Sequence, residues 1–202
     1  MYGFPKDPKK INQRLKRYER ELKKELRNFG CIHDGPGKRY LLGPLYMLSG
    51  DIEGAIKSFK WFEEISPDDS GEPAQYLCWT LALYRSGDLK VASRKLRQTM
   101  LQNLYLIPYL LGIKQSKLDI WHGSNLENKE YIDYIPPEIF ELWDEEALDW
   151  AGEQYYSNHI TNIRNKYIEI HRLLKNEPVG PKRSQLVKEA FQMQEFDYTS
   201  DV

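Results

Sequence analysis

One short phrase occurs twice in this chain and constrains its fold more than any other feature. Residues 45–52 read LYMLSGDI and residues 83–89 read LYRSGDL, and an alanine follows each phrase, at Ala55 and at Ala92. The two alanines lie 37 residues apart. A helix, a turn of small residues and a second helix, repeated at such a spacing, are typical of a helical solenoid. The sequence therefore predicts an all-α fold.

Length and composition favour one globular domain over residues 1–202. The chain has 202 residues, of which 41% are hydrophobic and 29% charged, enough to bury a core and too polar for a membrane-embedded protein. Residues 1–6 lead directly into charged residues, without the apolar segment of an export signal. The two cysteines cannot form a disulfide framework. We therefore expect a cytoplasmic protein that does not associate with membranes.

Apolar periodicity predicts most of the helices. Residues 8–29 form a basic amphipathic helix, in which apolar side chains recur every three or four positions. Further helices are predicted at 38–48, 52–65, 73–85 and 89–102. Residues 107–137 are interrupted by Pro, Gly, Ser and Asn and are predicted to form an irregular but ordered excursion. A C-terminal helical region follows at 138–195, with a helical turn at 138–142 and helices at 145–156, 158–175 and 184–194.

The first hairpin, residues 36–69, carries the residues of a known repeat. With Pro36 in the first position, the matching residues are Leu42, Gly43, Tyr46, Gly50, Ala55, Phe59 and Pro67. In this register the chain resembles the tetratricopeptide repeat. The residue types suit close helix packing, since glycine and alanine allow two helices to approach and the aromatic rings fill the space between them.

A second copy, residues 73–106, follows the pattern more loosely. Tyr76, Trp79, Gly87, Ala92 and Leu96 fit the repeat, whereas Thr80 replaces the packing glycine and Leu104 replaces the final proline. Two repeats leave both ends of a solenoid uncovered. We therefore expect the N-terminal helix and the C-terminal helical region to act as caps.

The resemblance implies a protein-binding groove lined by the first helix of each repeat. The groove positions include Tyr40, Leu41, Pro44, Met47 and Leu48 in the first copy and Leu77, Cys78, Leu81, Tyr84 and Arg85 in the second. This lining is mostly apolar, and its residues do not match the Lys, Asn and Arg positions with which some members grip a chaperone carboxylate. Two occupants are open: the chain itself, through the helix at 158–175, or an external amphipathic helix.

Charge is distributed unevenly along the chain, and the basic N-terminal helix suggests an alternative function. Residues 1–30 hold ten basic and four acidic side chains, while residues 119–154 hold eleven acidic side chains and one basic one. The basic helix could bind nucleic acid, or it could pair with acidic parts of the same protein. Glu19, Glu21 and Glu25 interrupt the basic residues, and no nucleic-acid-binding motif accompanies them, so nucleic acid ranks behind a protein partner.

Two loops contain residues that could bind a metal or act as a nucleophilic site, but neither loop has the complete pattern. Cys31, His33 and Asp34 offer metal ligands, but no second ligand cluster at metal spacing accompanies them, so we expect this loop to cap the next helix. The stretch from Asp119 to Asn125 contains Asp, His and Ser without the sharp turn that would expose a nucleophile, and an enzyme with a site here is the weakest alternative. We predict a non-catalytic interaction module or scaffold without a cofactor or metal.

Overall fold

The computed structural model describes residues 3–195 and residue 197, and this part of the chain contains helices, turns and loops without a strand. The α-helices are α1 (Pro8–Phe29), α2 (Lys38–Leu48), α3 (Ile52–Ile65), α4 (Pro73–Arg85), α5 (Leu89–Gln102), α6 (Leu106–Leu110), α7 (Pro137–Glu141), α8 (Glu145–Tyr156), α9 (Asn158–Asn176) and α10 (Pro181–Gln194). Two 3-10 helices, Asn125–Glu127 and Lys129–Tyr134, lie between α6 and α7. The predicted all-α class is confirmed.

The observed helix bounds agree with the sequence prediction up to residue 102. Downstream, the segment predicted to be irregular contains most of α6 and both 3-10 helices. α10 begins at Pro181, three residues before the predicted start, since proline in the first turn of a helix loses no hydrogen bond and already has a helical φ.

Each Ser-Gly-Asp phrase forms a tight helix–turn–helix connection. Ser49 Oγ donates a 2.8 Å hydrogen bond to the carbonyl oxygen of Tyr46, and Gly50 adopts a φ of 80° that disfavours any side chain. Asp51 then caps α3, because its Oδ1 accepts a 2.8 Å hydrogen bond from Gly54 N. Residues 86–88 repeat this arrangement, with a φ of 84° at the glycine.

The chain divides into two compact units. The first contains the residues up to Ala92 together with Ile135–Trp143, and the second contains Ser93–Tyr134 together with the residues from Asp144 onward. The division falls inside α5, so α1 to α4 and α7 belong to the first unit, and α6 and α8 to α10 to the second.

Packing in the first unit centres on α2, which contacts α1, α3, α4 and α7. Gly43 on α2 faces Phe59 on α3, and the Phe59 ring stacks on Trp79 of α4 with 5.2 Å between the ring centres. Phe59 is completely buried. The absence of a side chain at Gly43 thus gives the Phe59 ring its space in the core.

In the second unit, α8 and α10 pack against α9. One side of α9 is buried, including Ile160, Ile163, Tyr167, Ile170 and Leu174. Among the described helices, none combines the length and the apolar character that a membrane crossing requires.

Candidate functional site

The ten residues predicted to line the groove differ in exposure. Pro44, Met47, Leu77, Cys78 and Leu81 are buried, whereas Tyr40, Leu41, Leu48 and Tyr84 are half-buried and Arg85 is exposed. The buried members offer no side-chain surface to a partner in this structure. Any binding at the groove therefore has to use the accessible members, and the groove stays a prediction.

A later segment of the chain returns to the helix that carries half of this groove. α7 contacts α2, and Arg85 Nη2 donates a 2.6 Å hydrogen bond to the carbonyl oxygen of Leu142. Around α7, Ile135, Ile139 and Trp143 recur every four residues and are 5%, 1% and 5% exposed. The helix at 158–175 is one of the two occupants predicted for the groove, beside an external amphipathic helix. That occupancy stays a prediction, whereas α7 is one of the elements that contact α2 within the first unit.

Tyr40, at the start of the predicted groove, belongs to a polar cluster with Arg39 and Asp69. Its hydroxyl donates a 2.8 Å hydrogen bond to Asp69 Oδ2, which also accepts from Arg39 Nη2 at 2.9 Å. Burial and the neighbouring carboxylate raise the pKa of Tyr40 to about 12. Burial alone would raise the pKa of Asp69, but hydrogen bonds from Gly71 N, Tyr40 and Arg39 lower it overall. This cluster ties the start of α2 to the loop before α4.

A cavity lies on another side of the first unit, between α1, α2 and α3. Its volume is about 350 Å³, and we call it the α1–α3 cavity. The lining residues are Glu19 and Lys23 from α1, Leu42 and Tyr46 from α2, and Gly54, Lys57, Ser58 and Trp61 from α3. It thus has an apolar and aromatic wall beside two lysines and one glutamate.

Several polar side chains of the α1–α3 cavity form hydrogen bonds or ion pairs. Tyr46 donates a 2.6 Å hydrogen bond from its hydroxyl to Glu19 Oε1, and burial with this carboxylate raises the pKa of the tyrosine. Lys23 Nζ lies 3.9 Å from the same carboxylate oxygen. Lys57 pairs with Glu53 at 2.6 Å, and its side chain is 73% exposed. Both lysine ammonium groups therefore stand at a solvent-exposed rim.

The sequence did not predict this cavity, although one face of α3 carries several of the residues that line it. Gly54 and Trp61 are seven residues apart and lie on the same helix face, beside Lys57. A Cβ atom at Gly54 would stand 2.5 Å from the Tyr46 ring, so glycine makes room for that ring. Gly54, Lys57 and Trp61 thus form one row on α3 that the sequence displays.

The loop containing Cys31 and His33 serves the start of α2. The buried Asp34 accepts a 2.7 Å hydrogen bond at Oδ2 from Arg39 N, which satisfies a free amide of the first helical turn. This agrees with the predicted capping role. Cys31 Sγ lies 3.1 Å from His33 Nε2, and both residues are exposed.

The three residues of the weakest alternative, the enzymatic site, have different surroundings in the second unit. Asp119 pairs with Lys175, His122 stacks on Tyr105, and Ser124 immediately precedes a 3-10 helix. Among the described residues, no hydrogen bond joins Asp119, His122 and Ser124. The structure therefore does not bring these three side chains together as a nucleophilic set.

Two histidines of the second unit each have one buried ring nitrogen without a hydrogen bond. His171 is 3% exposed, and its Nδ1 lies 2.9 Å from the carbonyl oxygen of Trp121. Because a carbonyl only accepts, Nδ1 carries the proton and Nε2 is a bare lone pair, buried without a partner. His122 Nε2 is likewise buried and unpartnered. Burial lowers the pKa of both rings, and Lys117 adds to the effect at His122.

Because of these two histidines, we expect the protein to lose stability in mild acid. Since their pKa values in the folded protein lie below the unfolded value of about 6.5, the unfolded chain binds protons first as the pH falls through that value. Above pH 7 the two histidines should make no pH-dependent contribution to the free energy of unfolding. Below it, the free energy should fall by at most about 1.4 kcal/mol per pH unit for each histidine. Urea unfolding at several pH values between 7.5 and 5 measures the slope.

Replacing both rings isolates their contribution. In the double variant His122→Asn and His171→Asn, the asparagine at 171 retains an N–H donor for the Trp121 carbonyl but does not titrate. Its stability should depend less steeply on pH than that of the wild type. His159→Asn, an exposed position on the same helix as His171, controls for the substitution itself. An equal slope in the wild type and the double variant would contradict the prediction.

Metal ligands do not converge in the part of the chain that the structure describes, where no group of three or more His, Cys, Asp or Glu side chains is arranged to hold an ion.

Comparison of the chain with protein-family models, with curated proteins and with solved structures found no match. The α1–α3 cavity and the accessible groove residues are therefore interpreted from their own geometry.

Proposed function

We propose that this protein is a non-catalytic interaction module, built on two tetratricopeptide-like hairpins, that binds a segment of another protein. The observation that carries the proposal is the α1–α3 cavity, a depression of about 350 Å³ with Tyr46 and Trp61 in its lining. Aromatic side chains in a concave site provide much of the binding energy in protein interfaces, because they bury a large area at a low cost in conformational entropy.

The composition of the lining favours a particular partner segment. The half-buried Tyr46 and Trp61 suit one large apolar side chain, and the exposed ammonium groups of Lys23 and Lys57 suit acidic residues on either side of it. An amphipathic helix with an apolar anchor and flanking carboxylates has this chemistry. This site is preferred to the groove because half of the groove residues are buried.

The repeat arrangement is part of the proposal. It is supported by the Ser-Gly-Asp turns of the two hairpins and by the packing of Gly43, Phe59 and Trp79. In such an arrangement α2 and α4 line the groove, and the α1–α3 cavity is a separate surface. A scaffold with two surfaces of this kind can hold a partner without using the buried groove positions.

Affinity capture from the native cell with matched variants tests the proposed site. Trp61→Ala should reduce recovery of the partner by at least about thirtyfold, the loss that follows from removing a hot-spot tryptophan. Lys60→Ala, which alters an exposed neighbour outside the cavity lining, should leave recovery unchanged. Equal urea midpoints for the two variants exclude unfolding as the cause.

A groove variant distinguishes binding in the groove from binding in the α1–α3 cavity. Tyr84→Glu alters a half-buried groove residue, whereas Leu81→Glu would place a charge at a position with 0% exposure and unfold the protein. A partner that Trp61→Ala retains and Tyr84→Glu loses would contradict binding in the α1–α3 cavity and locate the site in the groove.

A further inference from the structure

The outer face of α1 carries a row of basic side chains along most of the helix. Lys9, Lys16, Arg20 and Arg27 are exposed and lie seven, four and seven residues apart, a spacing that keeps them on one side of a helix with 3.6 residues per turn. The buried residues Ile11, Leu15, Tyr18 and Leu22 occupy the opposite side. We call the four exposed side chains the basic face.

The acidic residues of α1 do not belong to the basic face. Glu19 accepts the hydrogen bond from the Tyr46 hydroxyl at 2.6 Å, and Glu21 pairs with Lys38 Nζ at 3.1 Å. Glu25 accepts a 3.2 Å hydrogen bond from His33 N. All three carboxylates thus contact α2 or the loop before it, and Glu21 also lies 3.9 Å from Arg17 Nε on α1. The acidic residues that interrupt the basic ones in the sequence therefore leave the outer face positive.

We propose that the basic face binds the phosphate backbone of double-stranded nucleic acid, independently of base sequence. From Lys9 to Arg27 the face extends over about 27 Å at 1.5 Å per residue, a distance along which a duplex presents many phosphates. Two of the four side chains are arginines, whose planar guanidinium groups bind phosphate oxygens in pairs. The net charge of the whole chain is −1, so attraction to a polyanion must come from a local surface such as this one.

Nucleic acid fits this face better than a lipid surface does. A helix that lies in a membrane interface inserts its apolar side among the lipid chains. The apolar side of α1 is buried in the first unit, and the residues between the basic ones on the outer face, Gln13 and Lys24, are polar. Phe29 is 66% exposed, but it lies seven residues after Leu22 and therefore on the apolar side.

The salt dependence of binding tests the proposal with the full chain. The probes are a 30-base-pair DNA duplex and an RNA duplex of the same length, and vesicles with anionic phospholipid serve as the competing polyanion. For four phosphate contacts, the logarithm of the DNA-binding constant should fall with the logarithm of the salt concentration with a slope of about −3.6. Affinity should therefore drop about a hundredfold between 50 and 200 mM salt.

Two variants with equal net charge separate the basic face from general electrostatics. One replaces Lys9, Lys16, Arg20 and Arg27 by glutamine; the control replaces Lys60, Lys90, Lys114 and Lys188, which are exposed elsewhere. All four sites of the first variant are exposed, and glutamine has a helix propensity close to that of lysine, so α1 should form in both proteins. The first variant should lose duplex binding and its salt slope, and the control should retain both.

Three results would overturn the proposal. They are no duplex binding at 20 mM salt, an equal loss of binding in the two variants, and binding to anionic vesicles without binding to either duplex. The last result would assign the basic face to a membrane surface instead. Similar binding to DNA and RNA is expected, because the contacts are made to phosphate.

Discussion

Replacement of Phe59 by alanine is expected to lower the free energy of unfolding by about 3–5 kcal/mol. The ring is completely buried between Gly43 and Trp79. It stacks on the Trp79 ring, with 5.2 Å between the ring centres. Its removal forfeits the burial of a large apolar side chain and leaves a cavity that two rigid helices cannot close. Urea denaturation of the purified variant measures the change.

An exposed phenylalanine provides the matched control. Phe191 on α10 is 66% exposed, so Phe191→Ala should change the free energy of unfolding by no more than about 0.5 kcal/mol. A loss of less than about 1 kcal/mol for Phe59→Ala would contradict the repeat register that places Phe59 in the gap between the helices of the first hairpin.

Replacement of Gly43 by alanine should destabilise the protein by about 1–3 kcal/mol, although alanine is the better helix former. A Cβ atom at this position would stand 2.0 Å from Phe59 Cε1, closer than two carbon atoms can approach. The ring or one of the helices has to move, and a closely packed core resists such a movement. Thermal or urea unfolding of the variant gives the sign and the size of the effect.

A second glycine-to-alanine change shows the effect of helix propensity alone. Gly152 lies in α8, where a new Cβ would meet Leu111 Cδ2 at an ordinary 3.9 Å, so Gly152→Ala should stabilise the protein by about 0.5–1 kcal/mol. In the Phe59→Ala background, Gly43→Ala should lose most of its cost because the ring that it meets is gone. Additive effects of the two changes would contradict the proposed contact.

The helices were predictable since their signals are local. The Ser-Gly-Asp phrase contains a hydroxyl for a free carbonyl, a glycine for the left-handed conformation and a carboxylate for the next helix start, all within three residues. Apolar periodicity then indicates which side of each helix is buried. These relations act over one or two turns, and a single sequence displays them.

The candidate sites were only partly predictable. The sequence named ten groove residues, yet burial divides them, and their order along the chain does not reveal that division. The α1–α3 cavity was missed because three helices form it together. Trp61 and Gly54 marked one wall of it, but Glu19 and Tyr46 become part of the same site only through the packing of α1 on α2.

What the sequence by itself determined is the all-α class, the positions of most helices and the tight turns between α2 and α3 and between α4 and α5. Only the tertiary structure decided the direction of each charged side chain on α1 and the return of α7 to α2. The physical reason is the distance along the chain over which the interactions act. Caps and turns depend on neighbours within a few residues, whereas the partners of Glu19 and Glu21 come from α2, and α7 lies about ninety residues beyond the helix that it contacts.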